Sequence, residues 1–191
     1  LNVSPQEIIF TSGGTESDNM LLRSAVEALS IKTIISTKIE HHAILHALDY
    51  LEKKNVSIVY LPVDKNGEFK YQDLEKVLSL DNSKKLVSLM HVNNEIGNKI
   101  DLEYISKICQ SRGGLLHTDA VQSIGHYKVD LNKIKVDFLS AAAHKFHGPK
   151  GIGFSFVRKN SGLNPFILGG SQERGLRAGT ESVHNIVGMS K

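Results

Sequence analysis

One cysteine, Cys109, in 191 residues leaves no internal disulfide framework, so the chain must draw its stability from a packed core. That usage fits a reducing compartment, and a cytoplasmic protein is expected. No apolar run approaches the ~20 residues that a bilayer-spanning helix needs, and the opening residues LNVSPQEII carry no signal-peptide pattern. Positive charge is not concentrated either. Lys and Arg total 23 against 20 Asp and Glu, a formal +3, and pairs such as Lys53-Lys54 and Lys84-Lys85 stand alone. Such dispersed charge reads as solvated surface and gives no footprint for nucleic acid. Internal repeats and low-complexity tracts are missing too. What remains, 40% hydrophobic and 23% charged, describes one folded domain with enough chain to bury a substantial core.

The order of apolar runs sets the expected fold. Glu7 to Thr11, Thr33 to Thr37, Ser57 to Leu61, Leu86 to Met90, Leu115 to Thr118 and Phe138 to Ala143 read as short strands. Helical periodicity appears after the first strand (Met20, Leu21, Ala25, Ala28, Leu29) and after the second (Ile44, Leu45, Leu48, Leu51). It returns over Tyr71 to Leu78 and Leu102 to Arg112, and HNIVGM begins a last helix. Alternation of strand and helix predicts an α/β fold, a mostly parallel sheet with helices on both faces. Cys109 shares an apolar helix face with Leu102, Ile105 and Ile108 and is read as core.

Polar groups gather where strands end, the usual ligand rim of an open α/β sheet. The first strand enters its helix through Gly13-Gly14-Thr15, which offers backbone N–H groups, a hydroxyl and the positive end of a helix dipole to an anion such as phosphate. A plain N-cap with a glycine turn is the ordinary alternative. His41 follows the second strand. His42 and His46 stand four apart without an obvious acidic third ligand, so they read as exposed helix histidines, and no metal site is expected. His91-Val92-Asn93-Asn94-Glu95 leaves the fourth strand, and Asp119 with Gln122 ends the fifth.

Lys145 sits at the mouth of the run Phe138 to Ala143, before the turn Gly148-Pro149-Lys150-Gly151. Partial desolvation and neighbouring positive charge would lower its amine pKa and suit it to attack a carbonyl. The alternative is a solvated loop lysine paired with a carboxylate. A carbonyl-trapping lysine, an acid able to keep a pyridine nitrogen protonated, and a phosphate cup are together the demands of pyridoxal 5′-phosphate (PLP).

At these residues the chain resembles the NifS/IscS-type cysteine desulfurases, class V of the fold-type I PLP enzymes. The matching stretches are TSGGTESDN (11–19), EHHAIL (40–45), HVNNEIG (91–97), HTDAVQSIG (117–125), AHKFHGPKGIG (143–153) and GGSQERGLRAGTESVHNIVGM (169–189). They keep the family's order over essentially the whole chain. The resemblance implies a seven-stranded large cofactor domain spanning 1–191, without the family's leading segment or small C-terminal domain. It implies that Lys145 holds the cofactor and shuttles the substrate proton, that His41 stacks on the ring, and that Asp119 pairs with the ring nitrogen. Gln122 would bond the ring oxygen and Asn94 line the ring and substrate edge. Gly14, Thr15 and His144 would hold the phosphate, and Thr180 would reach the phosphate of a neighbouring subunit in a homodimer.

The implied reaction takes L-cysteine to L-alanine and passes sulfur, as a persulfide, to a sulfur-acceptor or Fe–S scaffold protein. Two departures from the family stand out. Ala142 replaces a phosphate-binding serine, and Cys109 does not match the sulfur-accepting cysteine, which the family carries in the missing domain. The chain by itself is therefore expected to be inactive. Selenocysteine lyase, another class V enzyme, or a non-catalytic dimerisation remnant are the other readings.

Overall fold

The computed structural model describes all of residues 1–191. A single seven-stranded sheet runs through the molecule: β1 (Ile8–Thr11), β2 (Thr33–Thr37), β3 (Ser57–Leu61), β4 (Lys85–Ser88), β5 (Leu115–Asp119), β6 (Phe138–Ala142) and β7 (Gly153–Val157). Their spatial order is β1-β7-β6-β5-β4-β2-β3. From β6 to β3 all pairs are parallel, whereas β7 is antiparallel to both of its neighbours, β6 and β1. The C-terminal ends of the other six strands thus share one edge of the sheet.

Five helices cover the sheet: α1 (Gly14–Leu29), α2 (His42–Glu52), α3 (Tyr71–Leu78), α4 (Leu102–Ser111) and α5 (Val183–Ser190). The first four divide between its faces. Met20, Leu21 and Ala25 of α1 pack with Ile44 and Leu48 of α2 over Ile34, Leu86 and Phe138. On the opposite face Leu74 of α3 and Ile105, Ile108 and Cys109 of α4 pack over Ile35, Val87, Leu116 and Leu139. Adjacent strand residues therefore serve opposite cores, as a period of two requires. No helix is long and apolar enough to cross a membrane.

The expected elements are found with small shifts at their ends. β1 starts at Ile8 because Pro5–Glu7 forms a 3₁₀ turn with the Ser4 N–H bonded to Glu7. β4 occupies Lys85–Ser88 and ends before Met90, whose N–H turns to the side chain of Glu40. β7 is an element that sequence periodicity did not reveal. All five of its residues are buried, so it shows no polar–apolar alternation.

Gly153 opens β7 where the strand passes behind the start of α1. A Cβ there would press on the Ala141 carbonyl and lie 2.8 Å from Gly13 Cα. Both are backbone atoms of the sheet and the Gly13-Gly14 loop, and neither can swing away. Gly153→Ala is expected to destabilise the fold by about 1–3 kcal/mol and to disturb that loop. Thermal unfolding checks the first effect and phosphate binding the second.

Candidate active site

At the shared strand edge lies an open cavity of about 220 Å³. The start of α1 forms one wall. Gly13 is its N-cap and supplies no side-chain acceptor, so the first-turn N–H groups of Gly14 and Thr15 are not taken by a cap. Gly14 is held close to Val121, whose Cγ2 would be 2.8 Å from an added Cβ. The wall is an anion cradle made of backbone, with the Thr15 hydroxyl beside it.

Beside it, β6 ends at Ala142 and the 3₁₀ turn Ala143–Lys145 delivers His144 and Lys145 to the cavity. The turn is pinned from several sides. Phe146 and Gly148 donate their N–H groups to the Ala143 carbonyl, at 3.0 and 2.9 Å. The Lys145 carbonyl lies 2.9 Å from His126 Nε2. The expected desolvation of Lys145 is not found. Its side chain is exposed, because the turn carries it past the end of β6 onto the open side of the cavity.

Asp119 ends β5 at the cavity floor, almost fully buried. Burial pushes its carboxyl upward, while the Val121 N–H, 2.9 Å from Oδ1, and the nearby His41 favour the charge. Gln122 follows on the same loop and also lines the cavity. His41 is the N-cap of α2. Its Nδ1 accepts the Ala43 N–H at 3.1 Å, so a neutral ring carries its proton on Nε2. Asn94 completes the rim, exposed, with its amide donating to Glu95 Oε1 at 2.8 Å.

Eight of the nine expected residues thus meet in one cavity. Thr180 does not. It lies exposed in a separate hollow with Ser12, Gly151 and Arg177. Arg177 clamps Glu16 of α1 through two bonds of 2.7 and 3.0 Å and so ties the Thr180 loop to the outer side of the anion cradle. His42 and His46 are exposed and stacked at 5.3 Å between ring centroids. No group of three or more His, Cys, Asp or Glu side chains is placed to hold a metal ion. Cys109 is fully buried behind the sheet, and burial pushes its thiol up to about 12.

Sequence reading missed two buried acids. Asp18 of α1 lines the cavity floor, although it falls on the buried helical stripe of Leu21, Leu22 and Ala25. A charged residue on an apolar stripe was the available signal. Glu40, just before His41, accepts the Thr37 hydroxyl and the Met90 N–H, each at 2.8 Å, and burial pushes it up to about 8. It joins the loops that follow β2 and β4.

A seven-stranded α/β sheet with an anion cradle, a lysine and a buried acid at one strand edge describes a group-transfer enzyme of the aminotransferase class. The family model for class-V aminotransferases matches residues 1–191, and the chain belongs to that family. Its relatives include the cysteine desulfurase IscS of Dictyoglomus turgidum, 48% identical over 193 residues, and that of Methanosarcina thermophila, 44% identical. Each alignment takes in the whole of this chain but 48% and 47% of the respective relative. A solved NifS-like protein superposes with a TM-score of 0.94 at 45% identity, over 100% of this chain and 53% of its own. SspA, solved in complex with cysteine, superposes at 0.92 with 36% identity, over 99% and 55%. The chain spans about half the length of the curated relatives it matches.

Proposed function

We propose that this chain is the cofactor-binding part of a PLP-dependent cysteine desulfurase. The observation that carries the reading is the convergence of Lys145, Asp119 and the α1 cradle on one cavity. The donor set fits the cofactor group by group. Backbone N–H groups of Gly14 and Thr15, the Thr15 hydroxyl and His144 suit a phosphate. The buried Asp119 carboxylate suits a protonated ring nitrogen, and the amide of Gln122 suits the ring oxygen. Ala142 takes one hydroxyl from the phosphate set, a loss of about 0.5–1.5 kcal/mol that the remaining donors tolerate.

Bound PLP supplies an electron-withdrawing ring that makes the substrate Cα acidic. The protein's own groups do the rest. Lys145 Nζ would hold the cofactor from the open side of the cavity and is the base placed to take the substrate Cα proton. Asp119 would keep a proton on the ring nitrogen, His41 would stack on the ring, and Asn94 would border the ring and substrate edge. The net reaction is L-cysteine plus a thiol giving L-alanine plus a persulfide. Cys109 is buried with its thiol held protonated, so the accepting thiol is another one. Thr180, outside the cavity, is assigned to the phosphate of a second copy in a homodimer, and the persulfide passes to an acceptor or Fe–S scaffold protein. The relatives' names and the cysteine held by SspA favour cysteine over selenocysteine as substrate.

The test is direct. The protein is incubated with PLP and reduced with borohydride, and the pyridoxyl label is located by mass spectrometry. Label on Lys145 is expected. Label mainly on Lys150 or another lysine overturns the assignment, and an absence of label overturns the cofactor reading.

A further inference from the structure

The sheet face under α1 changes character along its strands. Partners across parallel strands point the same way, and the register pairs Ser88 with His117 and Asp119 with Ser140. His117 and Asp119, two apart on β5, share that face. Near the strands' N-terminal ends the face is apolar, with Ile34, Leu86 and Phe138 under α1 and α2. Near the C-terminal ends it is a buried polar row of Ser88, His117, Asp119 and Ser140, onto which α1 lays Asp18.

Two members of this group are bonded unusually. His117 Nδ1 lies 2.9 Å from Ser88 Oγ, but Nε2 has no hydrogen-bond partner in a ring that is 0% exposed. Nε2 faces Asp18 Oδ1 at 3.7 Å, too long for a hydrogen bond. Asp18 is 1% exposed, and its Oδ1 accepts from the Ser140 hydroxyl. An aspartate–imidazolium pair is the simple reading of that proximity, and burial opposes it on both sides. It pushes the His117 ring down to about 3 and lifts the Asp18 carboxyl well above the usual range, with Asp119 adding to the lift. Asp119 has the Val121 N–H and His41 to favour its charge, while Asp18 has a single hydroxyl donor.

We propose that Asp18 is a neutral carboxylic acid in the cavity floor, so that Asp119 is the single negative charge facing a bound ligand. The proposal rests on the PLP reading and deepens it. Asp18 stands one turn along α1 from Thr15. A charge there would repel a phosphate in the cradle and compete with Asp119 for the ring proton. The groups that act on Asp18 are His117 and Asp119 from β5, Ser140 from β6 and Glu40 from the loop after β2; His41 and Lys145 line the same cavity. Asp18 acts through Asp119 and the cradle, as a positioning residue.

Proton placement can be read without the cofactor. In the cofactor-free whole protein, with aspartate ¹³C-labelled at Cγ and assigned through the backbone, Asp18 is expected to give the signal of a protonated carboxyl at pH 7. An ionised Asp18 at pH 7 overturns the proposal. The second measurement is PLP affinity across pH for Asp18→Asn, whose amide is as neutral as the acid. The acid limb of the affinity profile is expected to stay where the parent has it. A limb displaced by about one pH unit or more shows that a charge was removed, and overturns the proposal. Failure of the parent protein to bind PLP would overturn the cofactor reading and this role with it, whereas the carboxyl signal reports the proton independently.

Discussion

Lys145→Ala is expected to abolish desulfuration in the whole protein, by about 10⁴-fold or more, while leaving the fold intact. The two halves of that expectation have separate origins. Covalent capture and proton transfer are both assigned to the one amine, and general acid–base catalysis alone contributes ~10²–10⁴-fold. Stability is another matter. The side chain is exposed, and substitutions at exposed positions stay within about 0.5 kcal/mol. The turn that carries residue 145 is held by main-chain bonds from Phe146 and Gly148 and by His126 on its carbonyl, none of which needs the lysine side chain. Turnover of cysteine to alanine, measured beside a thermal melt, checks both halves. A variant that still turns over within tenfold of the parent would remove Lys145 from the chemistry. A variant that unfolds would show that the turn depends on it.

Asp119→Ala is expected to retain PLP but slow exchange of the substrate Cα proton by about 10²–10³-fold. The carboxylate is a preorganised charge in a water-poor floor, and removing one such group from a developing charge typically costs ~2.7–4 kcal/mol. Affinity is expected to be less affected, because the groups assigned to the phosphate and the proposed Lys145 attachment are other residues of the lining. Deuterium exchange at Cα, with bound cofactor followed by absorbance, separates the two effects. Exchange at the parental rate would make Asp119 a structural acid whose partners are the Val121 N–H and its buried neighbours.

Much of this was legible from residues alone. Strands β2, β3 and β5 and helices α3 and α4 lie where short apolar runs and i, i+3, i+4 stripes put them, because those patterns are local requirements of burial. The eight candidate residues that share the cavity lie at or just beyond strand ends or at helix starts, and an open parallel sheet presents those ends at one edge. β7 escaped because burial on both faces erases alternation, and its reversed direction is set by pairing with β1 and β6 on either side. The exposure of Lys145 escaped for a different reason. One 3₁₀ turn decides whether a residue after a buried strand stays under the sheet edge or passes beyond it.

What the sequence determined by itself was six of the seven strands, the helices and the core placement of Cys109, which follow from short-range periodicity, and the motifs that carry the family resemblance. Tertiary structure alone decided which groups share a floor. Asp18 and His117 are far apart in sequence on a helix and a strand, and only the packing of α1 across β5 and β6 brings Oδ1 to 3.7 Å from Nε2. The same packing separated Thr180 from the main cavity and clamped its loop to Glu16 through Arg177. The physical reason is desolvation. A carboxyl's charge depends on how many polar neighbours remain once water is excluded, and only the folded chain sets that number.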